Sequence, residues 1–154
     1  SCPSVHVIYS SERSYLFSTE EDSVRERMSY IAESFWEKKL SDVPVVVTGD
    51  FRDNYISSVH GLVAGRNGIS FLMLTDNRWD GIRGMHRAEV DFLYVCRGYH
   101  GSLHELSRLF NPRCVVLDAS LWRGDRKRYI QECSRLGWSF YDMEVKGALK
   151  VALN

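Results

Sequence analysis

The order of apolar and amphipathic segments after residue 89 restricts the fold of this chain more than any other feature. Short apolar runs alternate there with segments whose apolar residues recur at helical spacing. A strand, helix, strand, helix, strand order predicts parallel strands joined by right-handed crossovers. The predicted strands are residues 92–96, 115–118, 139–141 and 148–153, and the predicted helices are residues 103–110 and 126–136, the second ended by Gly137.

The first half of the chain has a different pattern. Asn67-Gly68 favours a tight hairpin turn, because both central residues of a type I′ turn need positive φ. Apolar residues at helical spacing predict one long helix, with Val24, Met28, Ile31 and Phe35 on one face. The predicted strands are residues 5–10, 15–18, 45–47, 59–64 and 69–74. This half is therefore predicted to be mostly antiparallel, and the charged, Gly-rich residues 76–87 to form an exposed loop.

The composition predicts one globular domain spanning residues 1–154. Hydrophobic residues make up 44% of the 154 residues and the formal net charge is zero, a combination that excludes intrinsic disorder. The longest apolar runs are far shorter than the roughly 20 residues that a membrane-spanning helix needs. The chain shows no secretory signal. Because it starts at Ser1 rather than Met, we expect a processed chain or a piece excised from a longer protein.

Basic side chains are concentrated in the second half of the chain. Residues 1–80 contain 12 acidic and 8 basic side chains, whereas residues 81–154 contain 8 acidic and 12 basic ones. Basic and aromatic side chains mixed near the second helix are typical of surfaces that hold single-stranded nucleic acid. The alternative is an exposed helix face with Trp122 packed beneath it. The candidate residues are Arg97, Tyr99, His100, Ser102, Trp122, Arg123, Arg126, Lys127 and Arg128.

The segment around Ser102 allows two interpretations. Ser102, His100 and Asp118 could form a nucleophilic trio at the carboxyl ends of parallel strands. The alternative, which we favour, is that Ser102 caps the helix that follows it, because Glu105 stands three residues later. In the segment before this helix, Gly98 and Gly101 could also leave backbone N–H groups free to face a bound anion.

The sequence contains no compact metal-binding motif. His100 and His104 are four residues apart, but no HExxH glutamate lies between them. A calcium loop starting at Asp76 is excluded, since Arg78 and Arg87 occupy ligand positions. No two of the four cysteines form a CxxC pair, so we expect small buried side chains at Cys96, Cys114 and Cys133.

Two long segments resemble the end of the soluble, metallo-β-lactamase-like domain of ComEC-type DNA-uptake (competence) proteins. These segments are EVDFLYVCRGYHGSLHELSRLFNPRCVVLDAS at residues 89–120 and CSRLGWSFYDMEVKGALKV at residues 133–151. The matching motifs are Asp91-Phe92-Leu93, Tyr99-His100-Gly101-Ser102, residues 112–118 and Gly147-Ala148-Leu149. The resemblance implies an α/β, partial αββα fold whose mixed sheet has an antiparallel front half and a parallel βαβαβ back half.

The chain departs from the family pattern at the metal site. Active members carry an HxHxDH loop after the first strands, whereas residues 18–22 are STEED. Tyr99 replaces the first His of the HHGS motif. The resemblance therefore implies a degenerate domain without two-metal hydrolysis and without a cofactor. The alternative is a metal-dependent nuclease or hydrolase that binds Zn or Mn through Asp50, His100 and Asp118.

We therefore expect a non-catalytic domain of a competence-type DNA-uptake protein. Its expected partner is weakly bound single-stranded DNA or the channel part of its parent protein. A domain that only packs against its parent chain is a third hypothesis. The resemblance implies a parent in the inner membrane, with this domain periplasmic or otherwise extracytoplasmic and not itself inserted in the membrane. The acidic predicted helix should face away from any bound DNA.

Overall fold

The computed structural model describes residues 3–10, 12–18 and 44–151. The chain divides into two compact units, Ser1–Asp50 and Phe51–Asn154. Each unit holds one mixed β-sheet, so the fold is of the mixed α/β type. The predicted long helix that carries Val24, Met28, Ile31 and Phe35 lies outside the described residues.

The sheet of the first unit has three strands in the order β1-β2-β3. β1 (Ser4–Ser10) pairs antiparallel with β2 (Arg13–Ser18), and β2 pairs parallel with β3 (Val45–Val47). Five successive residues of β2 are buried, from Ser14 to Ser18, because β2 is the central strand. The strands predicted at residues 5–10, 15–18 and 45–47 are all confirmed.

The sheet of the second unit has seven strands in the order β10-β9-β8-β7-β6-β5-β4. The pairs from β4 to β7 are antiparallel, and the pairs from β7 to β10 are parallel. The predicted change from antiparallel to parallel pairing is confirmed in this sheet. The strands are β4 (Phe51–Arg52), β5 (Ile56–Val59), β6 (Leu62–Gly65), β7 (Ser70–Leu74), β8 (Ala88–Val95), β9 (Phe110–Leu117) and β10 (Phe140–Asp142).

Three helices belong to this unit: α1 (Leu103–Leu106), α2 (Arg123–Leu136) and α3 (Met143–Lys146). The pairing register aligns Leu72, Leu93 and Val115 on one sheet face, where they form a core with residues of α1 and α2. Gly137 ends α2 in the left-handed conformation, at a φ of 70°, as predicted. The remaining core residues are Leu74, Val90, Val95, Tyr99, Leu103, Leu106, Phe110, Leu117, Leu121, Tyr129 and Cys133.

Three predicted elements are wrong. Residues 59–64 form two strands rather than one, because His60 and Gly61 adopt φ of 53° and 85° and make a tight turn between β5 and β6. The helix predicted at residues 103–110 ends at Leu106, because Phe110 pairs with Ala88 and begins β9. Residues 148–151 are not a strand, and residues 152–153 lie outside the described part.

Candidate nucleic-acid interface

The loops that carry most of the predicted site residues meet at one edge of the seven-stranded sheet. β7, β8 and β9 are parallel, so the segments that follow them all leave from their carboxyl ends. The Asn77 side-chain oxygen accepts a hydrogen bond of 2.9 Å from the His100 backbone N–H, which ties the first of these segments to the second. Residues 118–122 form the third segment and lead directly into α2.

Arg97 and Trp122 form an exposed cation–π pair between two of these segments. The guanidinium carbon of Arg97 lies 4.5 Å from the centroid of the Trp122 ring. Trp122 is 58% exposed, so it is not packed beneath the helix face, and Arg97 is exposed as well. The pair presents an aromatic surface and a positive charge together, which are the two features that bind a base and its phosphate.

Two further cations extend this surface along α2. Arg123 and Lys127 are exposed, four residues apart on the helix. Within the described ranges, no carboxylate forms an ion pair with either side chain. We call Arg97, Trp122, Arg123 and Lys127 the basic surface. All four were among the residues that the sequence singled out.

Arg126, another predicted contact residue, instead faces the protein interior. Its side chain is only 9% exposed, and its Nη2 donates to the Asp118 carbonyl oxygen at 2.9 Å. Its Nε lies 3.2 Å from Asp142 Oδ1 without the alignment of a hydrogen bond, and Nη1 pairs with Glu144. Arg126 therefore joins the start of α2 to the ends of β9 and β10, and its charge is compensated.

Arg128 also makes internal contacts. Its guanidinium donates to the Gly101 carbonyl oxygen at 3.2 Å and to the Tyr129 hydroxyl at 3.1 Å. The same group lies 4.6 Å from the centroid of the Tyr129 ring and 3.6 Å from Asp125 Oδ1. Arg128 therefore holds the segment after β8 against α2, although its side chain is 41% exposed.

Tyr99 is a buried anchor of the same segment. Its ring is 1% exposed and stacks on Tyr129 with centroids 6.0 Å apart. Its hydroxyl donates to the Ser102 carbonyl oxygen at 3.1 Å. Burial raises the pKa of Tyr99 well above its ordinary value, with the charge of a Tyr129 phenolate as a smaller contribution. Tyr99 thus positions the loop and offers no face to a ligand.

Ser102 is a helix cap, as the favoured sequence interpretation predicted. Its hydroxyl oxygen accepts from the backbone N–H groups of His104 and Glu105, at 3.0 Å and 3.4 Å. The hydroxyl itself donates to Glu132 Oε1 at 3.0 Å, and Glu132 Oε2 accepts from Leu103 N–H at 3.3 Å. The predicted anion site before α1 is wrong, because a carboxylate of the protein occupies it. His100 is exposed next to this cap.

The three candidate metal ligands lie in different surroundings. Asp118 is 5% exposed, and its carboxylate accepts from the Tyr94 hydroxyl and from the Ser120 N–H at 3.0 Å. His100 is exposed, and Asp50 is an exposed residue at the end of the first unit. In the described ranges, no three His, Cys, Asp or Glu side chains are grouped so that they could hold a metal ion.

The family model for the ComEC C-terminal domain matches residues 1–153, nearly the whole chain. The chain belongs to the ComEC C-terminal domain family. This membership supports a role in competence DNA uptake and implies a membrane-associated parent protein. In the part that the structure describes, this ComEC C-terminal domain has no helix with the length and apolar character of a membrane span. Comparison with curated proteins gives no match, and neither does comparison with solved structures.

The sequence did not indicate which candidates of the ComEC C-terminal domain would be exposed. Arg126 and Arg128 are as basic as Arg123, and only their partners across the fold distinguish them. Glu132 was missed altogether, since the groups that it accepts from lie about 30 residues away in the chain. No local pattern in the sequence marks such a contact.

Proposed function

We propose that this domain is a non-catalytic part of a DNA-uptake protein and contacts incoming single-stranded DNA through the basic surface. The observation that carries the proposal is the Arg97 guanidinium 4.5 Å from the exposed Trp122 ring. Aromatic rings stack on any base, and each such contact contributes about 1–3 kcal/mol. The neighbouring Arg123 and Lys127, on one face of α2, would pair with phosphates near the stacked base.

The non-catalytic part of the proposal rests on the ligand set. The HxHxDH loop of active family members is absent from the sequence, and Tyr99 takes the place of a ligand histidine. Asp118 is committed to Tyr94 and Ser120. We propose accordingly that residues 1–154 act as one extracytoplasmic, metallo-β-lactamase-like domain of the parent protein, without a cofactor.

The test is fluorescence anisotropy with a labelled thymidine oligonucleotide and the full chain. We expect weak binding. The logarithm of the association constant should fall linearly with the logarithm of the salt concentration. Trp122→Ala should weaken binding by about 5-fold to 150-fold. Arg123→Ala with Lys127→Ala should reduce the salt slope by about 1.4, that is about 0.7 per lost phosphate contact. Arg135→Ala, which removes an exposed cation from the last turn of α2, is the matched control.

Two results would contradict the proposal. The first is an equal change of oligonucleotide affinity in Trp122→Ala and Arg135→Ala. The second is cleavage of single-stranded DNA by the purified chain with added Mn²⁺, which would favour the metal-dependent hydrolase instead.

A further inference from the structure

The long connection between β7 and β8 exposes two apolar side chains at residues 82–87. Met85 is 94% exposed, more than any other exposed large apolar side chain that the structure describes, and Ile82 is 52% exposed. Exposed apolar side chains that form a patch mark an interaction surface, and Ile82 and Met85 are three residues apart in one short loop. We call residues 82–87 the loop tip.

The base of this loop is fixed, so the exposure is not that of a loose segment. The Trp79 indole N–H donates to the His60 carbonyl oxygen at 3.2 Å, and the ring packs edge-on against Phe110 with centroids 5.1 Å apart. Gly84 lies against Leu109, whose Cδ2 would be 3.2 Å from an added Cβ. The loop is therefore anchored to the core at residues 79 and 84, while Ile82 and Met85 face water.

The charges of the loop tip have one sign. Residues 82–87 read IRGMHR, with two arginines, one histidine and no carboxylate. Arg83 is exposed and has no ion-pair partner among the described residues. Arg87 donates to the Asn111 side-chain oxygen at 3.2 Å, and the Asn111 amide nitrogen donates to the Glu89 carboxylate at 2.9 Å and 3.1 Å. Among the described residues, Arg87 forms no direct ion pair. Apolar side chains flanked by arginines without an ion pair complement an anionic lipid surface.

The loop tip and the basic surface lie at opposite ends of β8. The loop tip ends at Arg87, directly before β8 begins at Ala88, whereas Arg97 comes two residues after β8 ends at Val95. Eight residues of strand separate the two by about 25 Å. A partner at one surface therefore leaves the other surface open.

We propose that the loop tip binds anionic lipid at the membrane surface, with Ile82 and Met85 entering the headgroup region and Arg83 and Arg87 contacting lipid phosphates. This assignment rests on the positive charge of the loop tip and on the exposure of its apolar side chains. Membership in a family with a membrane-associated parent is consistent with it.

The test is co-sedimentation of the full chain with vesicles of phosphatidylcholine alone or of equal parts phosphatidylcholine and phosphatidylglycerol. We expect binding to the anionic vesicles only. Ile82→Ser with Met85→Ser should weaken it at least about tenfold, and Arg83→Ser about fivefold. Val145→Ser is the matched control, since Val145 is 77% exposed on α3. Because all of these side chains are exposed, thermal unfolding should be unchanged.

Equal binding to both kinds of vesicle would overturn the proposal, as would equal losses in the double variant and in Val145→Ser. A double variant that loses oligonucleotide binding but keeps vesicle binding would assign the tip to nucleic acid instead. Trp122→Ala should leave vesicle binding unchanged, so the lipid and DNA proposals can fail separately.

Discussion

The Tyr129 hydroxyl donates a hydrogen bond of 2.9 Å to the Tyr99 carbonyl oxygen, joining α2 to the segment after β8. Both side chains are buried, at 0% and 1% exposure. This bond helps to fix the segment that carries Arg97, on which the proposed contact with DNA depends. Interior residues of α2 therefore set the geometry of an exposed surface.

Replacing Tyr129 by Phe should destabilise the domain by about 1–3 kcal/mol. The buried Tyr99 carbonyl would lose the donor at 2.9 Å. Urea denaturation would measure the change in unfolding free energy. Tyr141→Phe is the control, because the Tyr141 hydroxyl bonds to the Lys146 and Ala148 carbonyls at an exposed site. Equal losses in the two variants would show that the bond to Tyr99 adds nothing specific.

The unfolding free energy should fall in alkaline solution. Burial raises the pKa of Tyr129 to about 12 and that of the Cys133 thiol to about 12, from ordinary values of 10.0 and 9.0. Above pH 9 the unfolded chain therefore loses protons that the folded chain still holds, and folding becomes less favourable. Stability should be constant just below pH 9 and decline from there through pH 12, and urea denaturation at a series of pH values would measure this. A smaller decline in Cys133→Ala would assign part of it to the thiol, and an unchanged decline would contradict that assignment.

Arg126 and Arg123 should differ sharply in their effect on stability. Arg126→Ala leaves the buried Asp142 carboxylate without its nearest cation, and we expect a loss of about 3–5 kcal/mol. Arg123→Ala changes an exposed side chain and should stay within about 0.5 kcal/mol. Chemical denaturation of both variants would measure the difference. A small loss for Arg126→Ala would mean that its contacts contribute little.

Gly98 and Gly124 should respond to alanine with opposite signs. Gly98 has a φ of 106°, and an added Cβ would lie 2.3 Å from the Thr75 carbonyl oxygen, so Gly98→Ala must displace the loop. We expect a destabilisation of at least about 1–3 kcal/mol. Gly124 lies in the first turn of α2 with no atom within 4 Å of an added Cβ, so Gly124→Ala should stabilise by about 0.4–1 kcal/mol. Thermal unfolding of the pair would test both signs, and a Gly98→Ala variant as stable as the wild type would contradict the clash.

Sequence reasoning succeeded where the signal was local. Gly137 ends α2 and Ser102 caps α1, each through contacts within a few residues. A turn at Asn67-Gly68 does connect β6 to β7, but only Gly68 has a positive φ, of 86°, so the predicted type I′ geometry is wrong. It failed where distant pairing decides the structure. The apolar pattern through Phe110 suited a longer helix, but pairing with Ala88 placed Phe110 in β9.

At the candidate site, too, local patterns in the sequence were informative and contacts between distant residues were not predicted. Basic and aromatic composition pointed to segments that meet at one edge of the sheet, and there Arg97 and Trp122 are exposed and in contact. The burial of Arg126 depends on Asp142, sixteen positions later in the chain, and on the parallel pairing that places β10 beside β9. Sequence patterns carry no record of such a contact, so the predicted surface included Arg126 and Tyr99, which both face inward.

In the second unit, β8 runs from one proposed surface to the other. Its amino end follows the loop tip and its carboxyl end precedes Arg97, so one strand of the sheet connects both proposed surfaces. If the tip rests on lipid, the basic surface would lie at the far end of this strand, up to about 25 Å from the bilayer. A DNA strand held there would be kept clear of the negatively charged headgroups, and β8 would act as the spacer that sets its height.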